Sequence, residues 1–236
     1  NGTVKLDTAA QGAAGGMGYV VDASRLRTEG YRRHSSVTRD QEMAKLSYAP
    51  DGDSKLILVA NGFQQPEAKD PLGLNWDQSR NDRRGVDGSA LAFNTRKSIE
   101  HSQGGGTYER RFGEDSLQVS AYIGRRQVTQ YQSIPIASQR FIASTAATSP
   151  LRRHSGGVID FDRAFAGVGA RWTLRRDLGG GTLTTTLGID HETSSDDRQG
   201  YENYVATSSA LTLTCGVGGT VSGVKGALRR SETDKV

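Results

Sequence analysis

Leu117-Gln118-Val119-Ser120-Ala121-Tyr122-Ile123 is the stretch whose reading decides the fold. In an extended chain successive side chains point to opposite sides. Leu117, Val119, Ala121 and Ile123 then share one face, and Gln118, Ser120 and Tyr122 share the other. A helix would scatter the same apolar residues around its circumference, so the stretch is a strand with one apolar and one polar face. The pattern repeats outward in both directions. Upstream, Val4, Leu6, Thr8 and Ala10 share a face, as do Tyr19, Val21 and Ala23 in a run from Gly18 to Arg27. Ala44, Leu46 and Tyr48 mark a third strand, and Leu56, Leu58 and Ala60 a fourth. A more polar fifth is expected over about Thr95 to Phe112. Downstream, Ala166, Val168, Ala170, Trp172 and Leu174 mark a seventh, and Leu183, Thr185, Leu187 and Ile189 an eighth. A ninth is expected to begin near Gly226. Helical periodicity is almost absent.

The connections alternate in length. Gln11 to Gly16, Pro50-Asp51-Gly52-Asp53, Phe112-Gly113-Glu114-Asp115 and Leu178-Gly179-Gly180-Gly181 are short and rich in turn formers. Between them lie long segments: Thr28 to Val37, Gln64 to Asn94, Gln132 to Gly157 and Ser194 to Lys225. A soluble sandwich has no reason to alternate in this way. A transmembrane barrel does, because its periplasmic turns are short and its outer loops are long. Several strands also read as longer than the five or six residues usual in soluble sheets. Tyr19, Tyr48, Phe63, Phe112, Tyr131 and Trp172 lie near strand ends, where interfacial aromatic girdles belong.

Composition agrees. Of the 236 residues 34% are hydrophobic, against roughly 45–50% in soluble domains. That deficit suits strands with only one apolar face. Thirty basic residues against 26 acidic ones give a net charge of only +4, and the Arg-Arg pairs are dispersed from Arg32-Arg33 to Arg229-Arg230. Nucleic-acid binding is not expected, since it needs clustered basic residues. The single cysteine, Cys215, has no partner for a disulfide and no zinc-type spacing. No signal peptide and no apolar run long enough for a transmembrane helix occur in the sequence. Both ends read as cut, so about eight to nine strands of a larger barrel are expected rather than a closed small one.

Candidate chemistry is sparse. Asp160 and Asp162 alternate with Ile159 and Phe161, and are expected on a lumen face rather than in acid–base catalysis. His34, His101, His154 and His191 are scattered without metal-ligand spacing. Gly104-Gly105-Gly106 precedes a strand segment, not a helix, so a glycine kink is expected instead of a phosphate cradle. No catalytic residue, metal site or cofactor is expected.

Several blocks together resemble the TonB-dependent outer-membrane receptor family. They include Glu29-Gly30-Tyr31-Arg32-Arg33-His34-Ser35, Asp70-Pro71-Leu72-Gly73-Leu74 and Phe93-Asn94-Thr95-Arg96-Lys97. Tyr108-Glu109-Arg110-Arg111-Phe112, Tyr122 to Arg126 and Gln130 to Pro135 continue the similarity. His154-Ser155-Gly156-Gly157-Val158-Ile159-Asp160, Gly200-Tyr201-Glu202-Asn203-Tyr204 and Gly226-Ala227-Leu228-Arg229-Arg230 complete it, while 205–225 departs from the pattern. The resemblance implies that 1–236 is part of a 22-stranded barrel whose plug domain and C-terminal strands lie outside this sequence. It further implies a bacterial outer-membrane location and uptake of a scarce small ligand, siderophore- or cofactor-like, with pyrroloquinoline quinone one such ligand. The implied partners are outer-membrane lipid and lipopolysaccharide, the small molecule itself, and the TonB complex through the missing N-terminal region.

A ligand bearing several carboxylates calls for Arg or Lys donors and a stacking ring. The candidates on long loops, or on the strand ends that feed them, are Arg96, Lys97, Arg125, Arg126, Tyr131, His154, Tyr201 and Asn203. For any one arginine among them, contact with lipopolysaccharide phosphate or a neighbouring carboxylate is the stronger expectation. Tyr201 and Asn203, on one strand-like face, also read as loop-packing residues. Two other classes compete: a small outer-membrane barrel with an adhesin or structural role, which a plug-like domain found upstream in the parent gene would exclude, and a soluble β-rich binding module, which would stay monodisperse without detergent.

Overall fold

The computed structural model describes residues 2–140, 156–206 and 220–235. Its strands are β1 (Thr3–Ala14), β2 (Met17–Thr28), β3 (Val37–Tyr48), β4 (Ser54–Lys69), β5 (Arg96–Phe112), β6 (Asp115–Tyr131), β7 (Val158–Asp177), β8 (Thr182–Tyr201), β9 (Tyr204–Ala206), β10 (Thr220–Ser222) and β11 (Leu228–Lys235). Three short helices lie in the long connections: α1 (Trp76–Asn81), α2 (Gly88–Ala92) and α3 (Ile136–Arg140). The main sheet has nine strands in the order β1-β2-β3-β4-β5-β6-β7-β8-β11, and each pair is antiparallel. β9 and β10 form a separate two-stranded ribbon. All nine strands expected from the alternation are present. No described helix is long and apolar enough to cross a membrane, which has no bearing on crossing by strands.

The short connections carry the turn chemistry that closely joined strands need. Ala14 pairs with Met17 across Gly15 and Gly16, whose φ values are 58° and 78°. Two successive positive φ angles make a type I′ turn, whose twist matches that of the flanking strands. A Cβ on Gly16 would also collide with the Ala49 carbonyl. In the turn before β4, Asp51 accepts hydrogen bonds from the Asp53 and Ser54 amides, at 2.9 and 2.6 Å. The bond from the Asp53 amide, more than those from Ser54, holds the Asp51 carboxyl below the usual carboxylate range. A depressed folded pKa stabilises above the unfolded value and loses its effect as pH falls through the folded one. Amide exchange at Asp53 and Ser54 is therefore expected to accelerate as pH drops below about 4. Once corrected for intrinsic rates, this pH dependence should be absent in Asp51→Ala.

Register ties the alternating faces into continuous surfaces. Leu6, Val21, Ala44, Ala60, Tyr108, Val119, Ala170 and Ile189 belong to one face of the sheet. On this banded face Leu58, Ile123, Val168, Leu187 and Ile189 are all exposed, with Ile189 at 73%. So large a continuous apolar surface marks a face meant to be covered. The run from Ala164 to Leu174 on β7 is about 33 Å long at roughly 3.3 Å per residue, or about 25 Å at a tilt near roughly 40°. That matches the height of an outer-membrane apolar band, about 25 Å. Tyr19, Tyr48, Phe112 and Trp172 edge the band at the short-turn end, with Phe112 and Trp172 stacked at 5.9 Å. The opposite, polar face carries Lys45, Asn61, Gln103, Gln118, Ser120, Glu192 and Arg198.

Four expectations change. Phe63 lies on the polar face, cross-strand from His101, so it joins no aromatic girdle on the banded face. Asp160 and Asp162 lie on the banded face, cross-strand from Thr129 and Gln127, not on the polar one. The strands continue past the apolar band, and beyond it the outward positions become polar too. β8 runs to Tyr201 instead of ending near Ser194, because its second half pairs with both β7 and β11. β4 extends to Lys69 through irregularities at Thr38/Asp40 and Gln65/Ala68, which accommodate Pro66, a residue without an amide donor.

Candidate functional site

Among the described residues no second layer packs against the sheet, and burial gathers where the long connections meet. Among the described residues Ala90, Thr95, Gln139, Val158, Asn203 and Tyr204 are almost fully inaccessible, and all lie at the long-loop end. α1 starts at a reciprocal cap: the Gln78 amide donates to the Asn75 side chain at 2.8 Å, and the Asn75 amide to the Gln78 side chain at 2.9 Å. Asp87 caps α2 through the Ser89 amide. Arg32, from 29–36, donates to the carbonyls of Gly85, Leu72 and Pro71 and so clamps 70–95. His34 shares a hydrogen bond with the Thr95 carbonyl at 2.9 Å.

Asn203 joins the remaining connections. Its side-chain amide donates to Gln132 O at 2.8 Å and to Phe93 O at 3.2 Å, and its backbone N–H donates to Gln139 Oε1 at 2.9 Å. One residue thus holds three segments far apart in sequence. Arg96 caps the same region, donating to Asn94 O at 2.9 Å and to Gly223 O at 3.3 Å while its guanidinium lies 3.5 Å from the centre of the Tyr131 ring. Arg229 donates to Gln139 O at 2.7 Å. Its Nε lies 3.0 Å from Glu202 without a hydrogen-bonding angle, so charge alone joins that pair.

The eight candidates separate by position. The neighbours Arg96 and Lys97 fall on opposite faces by alternation, as do Arg125 and Arg126. On the banded face, beyond the apolar residues, Arg125 pairs with Asp162, which also accepts from Gln127 at 2.7 Å. Tyr201 lies at the end of that face beneath the Lys225 amine, 4.0 Å from the ring centre, and its hydroxyl bonds Gln199. Lys225 also pairs with Asp160. Partial burial pulls the Lys225 pKa down, but the Asp160 hydrogen bond and charge outweigh it, leaving the amine above its usual value. Asn203 is fully buried in the loop cluster. Tyr201 and Asn203 share no strand, since β8 ends at Tyr201. His154 lies outside the described residues.

Lys97 and Arg126 are the two candidates on the polar face. Around them are residues that are not among the eight ligand candidates. His101 and Phe165 stack at 5.9 Å, and Tyr122 packs against Phe165 at 6.2 Å while its hydroxyl donates to Glu192 at 2.8 Å. Phe165 covers Gly124, and Tyr122 covers Gly167, in space a Cβ would fill. Arg163 makes two hydrogen bonds of 2.6 Å to Asp196. The polar face at this level thus offers cationic donors beside flat rings, an arrangement suited to anionic or aromatic groups. Among the described residues no group of three or more side chains could hold a metal ion.

No protein-family model matches the sequence. Among solved structures, the chain is similar to the crystal structure of the unliganded ferric citrate transporter FecA, with a TM-score of 0.68 and 15% sequence identity over 98% of this chain. The chain spans 30% of that transporter's length. The shared fold is an antiparallel barrel wall, of which this sheet is an open portion.

Proposed function

We propose that this chain forms part of the wall of an outer-membrane, TonB-dependent receptor that imports a scarce small nutrient. One observation carries this reading: the exposed apolar band and its aromatic edge occupy a single face, with short turns at one end and long interlocked connections at the other. The banded face then meets lipid, the polar face lines the lumen, and the long connections form the outer mouth. The fold similarity to a ferric citrate transporter supports the transport reading. The chain's span of 30% of that protein supports a parent with further strands and a plug domain, which would contact the TonB complex. The ligand is siderophore- or cofactor-like. Within the family the quoted blocks resemble most the receptor for pyrroloquinoline quinone, and the cation-and-ring chemistry of the polar face suits its carboxylates. Lys97 and Arg126 are the proposed ligand contacts, whereas Arg96, Tyr131, Tyr201 and Asn203 shape the mouth. Arg125, outside the wall above the band, is placed to meet lipopolysaccharide.

Single cysteines at Val119, Ala121 and Ile123, compared with Gln118, Ser120 and Tyr122, test the topology in the full-length protein in outer membranes. A lipid-restricted thiol reagent is expected to label the first set and spare the second. Equal labelling of both sets would sink the reading.

A further inference from the structure

Arg126 is directly cross-strand from His101 on β5 and from Arg163 on β7, all on the polar face. Arg163 is committed to Asp196 through two 2.6 Å bonds. Arg126, exposed, has no ion-pair or hydrogen-bond partner among the described residues. The carboxylates nearest along the strands, Glu100 and Asp162, flank this level but belong to the banded face, where Asp162 is taken by Arg125. Alternation therefore denies Arg126 both of them. Two guanidinium groups directly opposite one another on a sheet repel. Beside them His101 has a buried Nδ1 with no hydrogen-bond partner, and its ring is held flat on Phe165. Phe165 in turn rests on Gly124, two residues from Arg126 on the same face.

We propose that Arg126 is the centre of a carboxylate-binding site on this wall, with the guanidinium supplying a fork of donors beside the stacked His101 and Phe165 rings. The unpaired charge on Arg126 explains why the sequence tolerates facing arginines here: the site is complete only when an anion lies against that guanidinium. The proposal rests on the reading of the polar face as the lumen. A carboxylate can arrive there from a dissolved polycarboxylate or from an Asp or Glu of the parent protein outside this chain's described residues.

The test uses the purified full-length protein in detergent with citrate, and with neutral trimethyl citrate as the control probe. For a dissolved ligand, citrate binds and raises the melting temperature while trimethyl citrate does neither. Arg126→Gln then weakens citrate at least tenfold, Arg126→Lys recovers part of the loss, and Arg27→Gln on the banded face has no effect. The unliganded melting temperature of Arg126→Gln stays level or rises, because a repulsion has been removed. For a carboxylate supplied by the protein itself, citrate does not bind and Arg126→Gln lowers the unliganded melting temperature by several degrees. The proposal is overturned if Arg126→Gln changes neither affinity nor melting temperature, or if Arg27→Gln weakens citrate as much as Arg126→Gln does. The cysteine-labelling pattern reports separately on which face is the lumen, so an error in topology and an error in this site give different results.

Discussion

Asn203→Leu is expected to release the loop cluster while leaving the nine-stranded sheet intact. The substitution keeps the branched shape but removes both amide donors, so the carbonyls of Gln132 and Phe93 lose partners in a site that water does not reach. An unsatisfied buried carbonyl costs about 1–3 kcal/mol, and two of them give a local loss of about 2–6 kcal/mol. Native-state hydrogen exchange reads this directly. The Thr95 and Gly157 amides, bonded to Ala90 O at 3.0 Å and Tyr201 O at 2.8 Å, report on two of the joined segments. Their exchange is expected to accelerate by at least thirtyfold (about 2 kcal/mol), with strand amides in β6 and β7 unchanged. Asn203→Asp keeps the shape and loses the donors, so it should behave similarly. Unchanged exchange in both variants would show that the cluster does not depend on this residue.

A positive charge in the middle of the apolar band should have a comparable effect on assembly in lipid. Val119 lies level with Ala170 and, across β7, with Ile189. Val119→Arg places a guanidinium near the centre of the band, where burying it in a bilayer costs about 2–4 kcal/mol. Ser120→Arg, one residue away, points to the opposite face and should cost well under 1 kcal/mol, in keeping with a lumen position. Urea titrations of the full-length protein folded into vesicles would compare the two. Equal costs would contradict the assignment of the faces.

Much of this architecture is legible in the sequence, because period-two alternation is a direct record of a two-sided sheet. Leu117 to Ile123 and Ala166 to Leu174 record it most clearly, and Gly15-Gly16 marks a hairpin. The second half of β8 is less legible. From His191 to Arg198 both faces are polar, even where His191, Thr193 and Ser195 lie cross-strand from Val168, Ala166 and Ala164 of the apolar band. Without contrast there is no alternation to read. α1 and α2 escape for another reason: five or six residues are too few to show a helical period. The Asn75-to-Gln78 spacing was the available signal for α1. At the candidate site, alternation alone separates Arg96 from Lys97 and Arg125 from Arg126. Which member of each pair looks inward depends on register with neighbouring strands, and the role of Asn203 depends on carbonyls far away in sequence. Neither is encoded locally.

The strand order has a mechanical corollary. In the main sheet β1 through β8 each pair with the next strand in the chain, and β11 closes onto β8, so no wide crossover ties distant parts of the wall together. A pull on one terminus would therefore load one strand pair at a time. The wall should come apart as a succession of hairpins, each giving its own force peak. The interlocked outer connections would resist last in each step, because their bonds run between hairpins rather than within them.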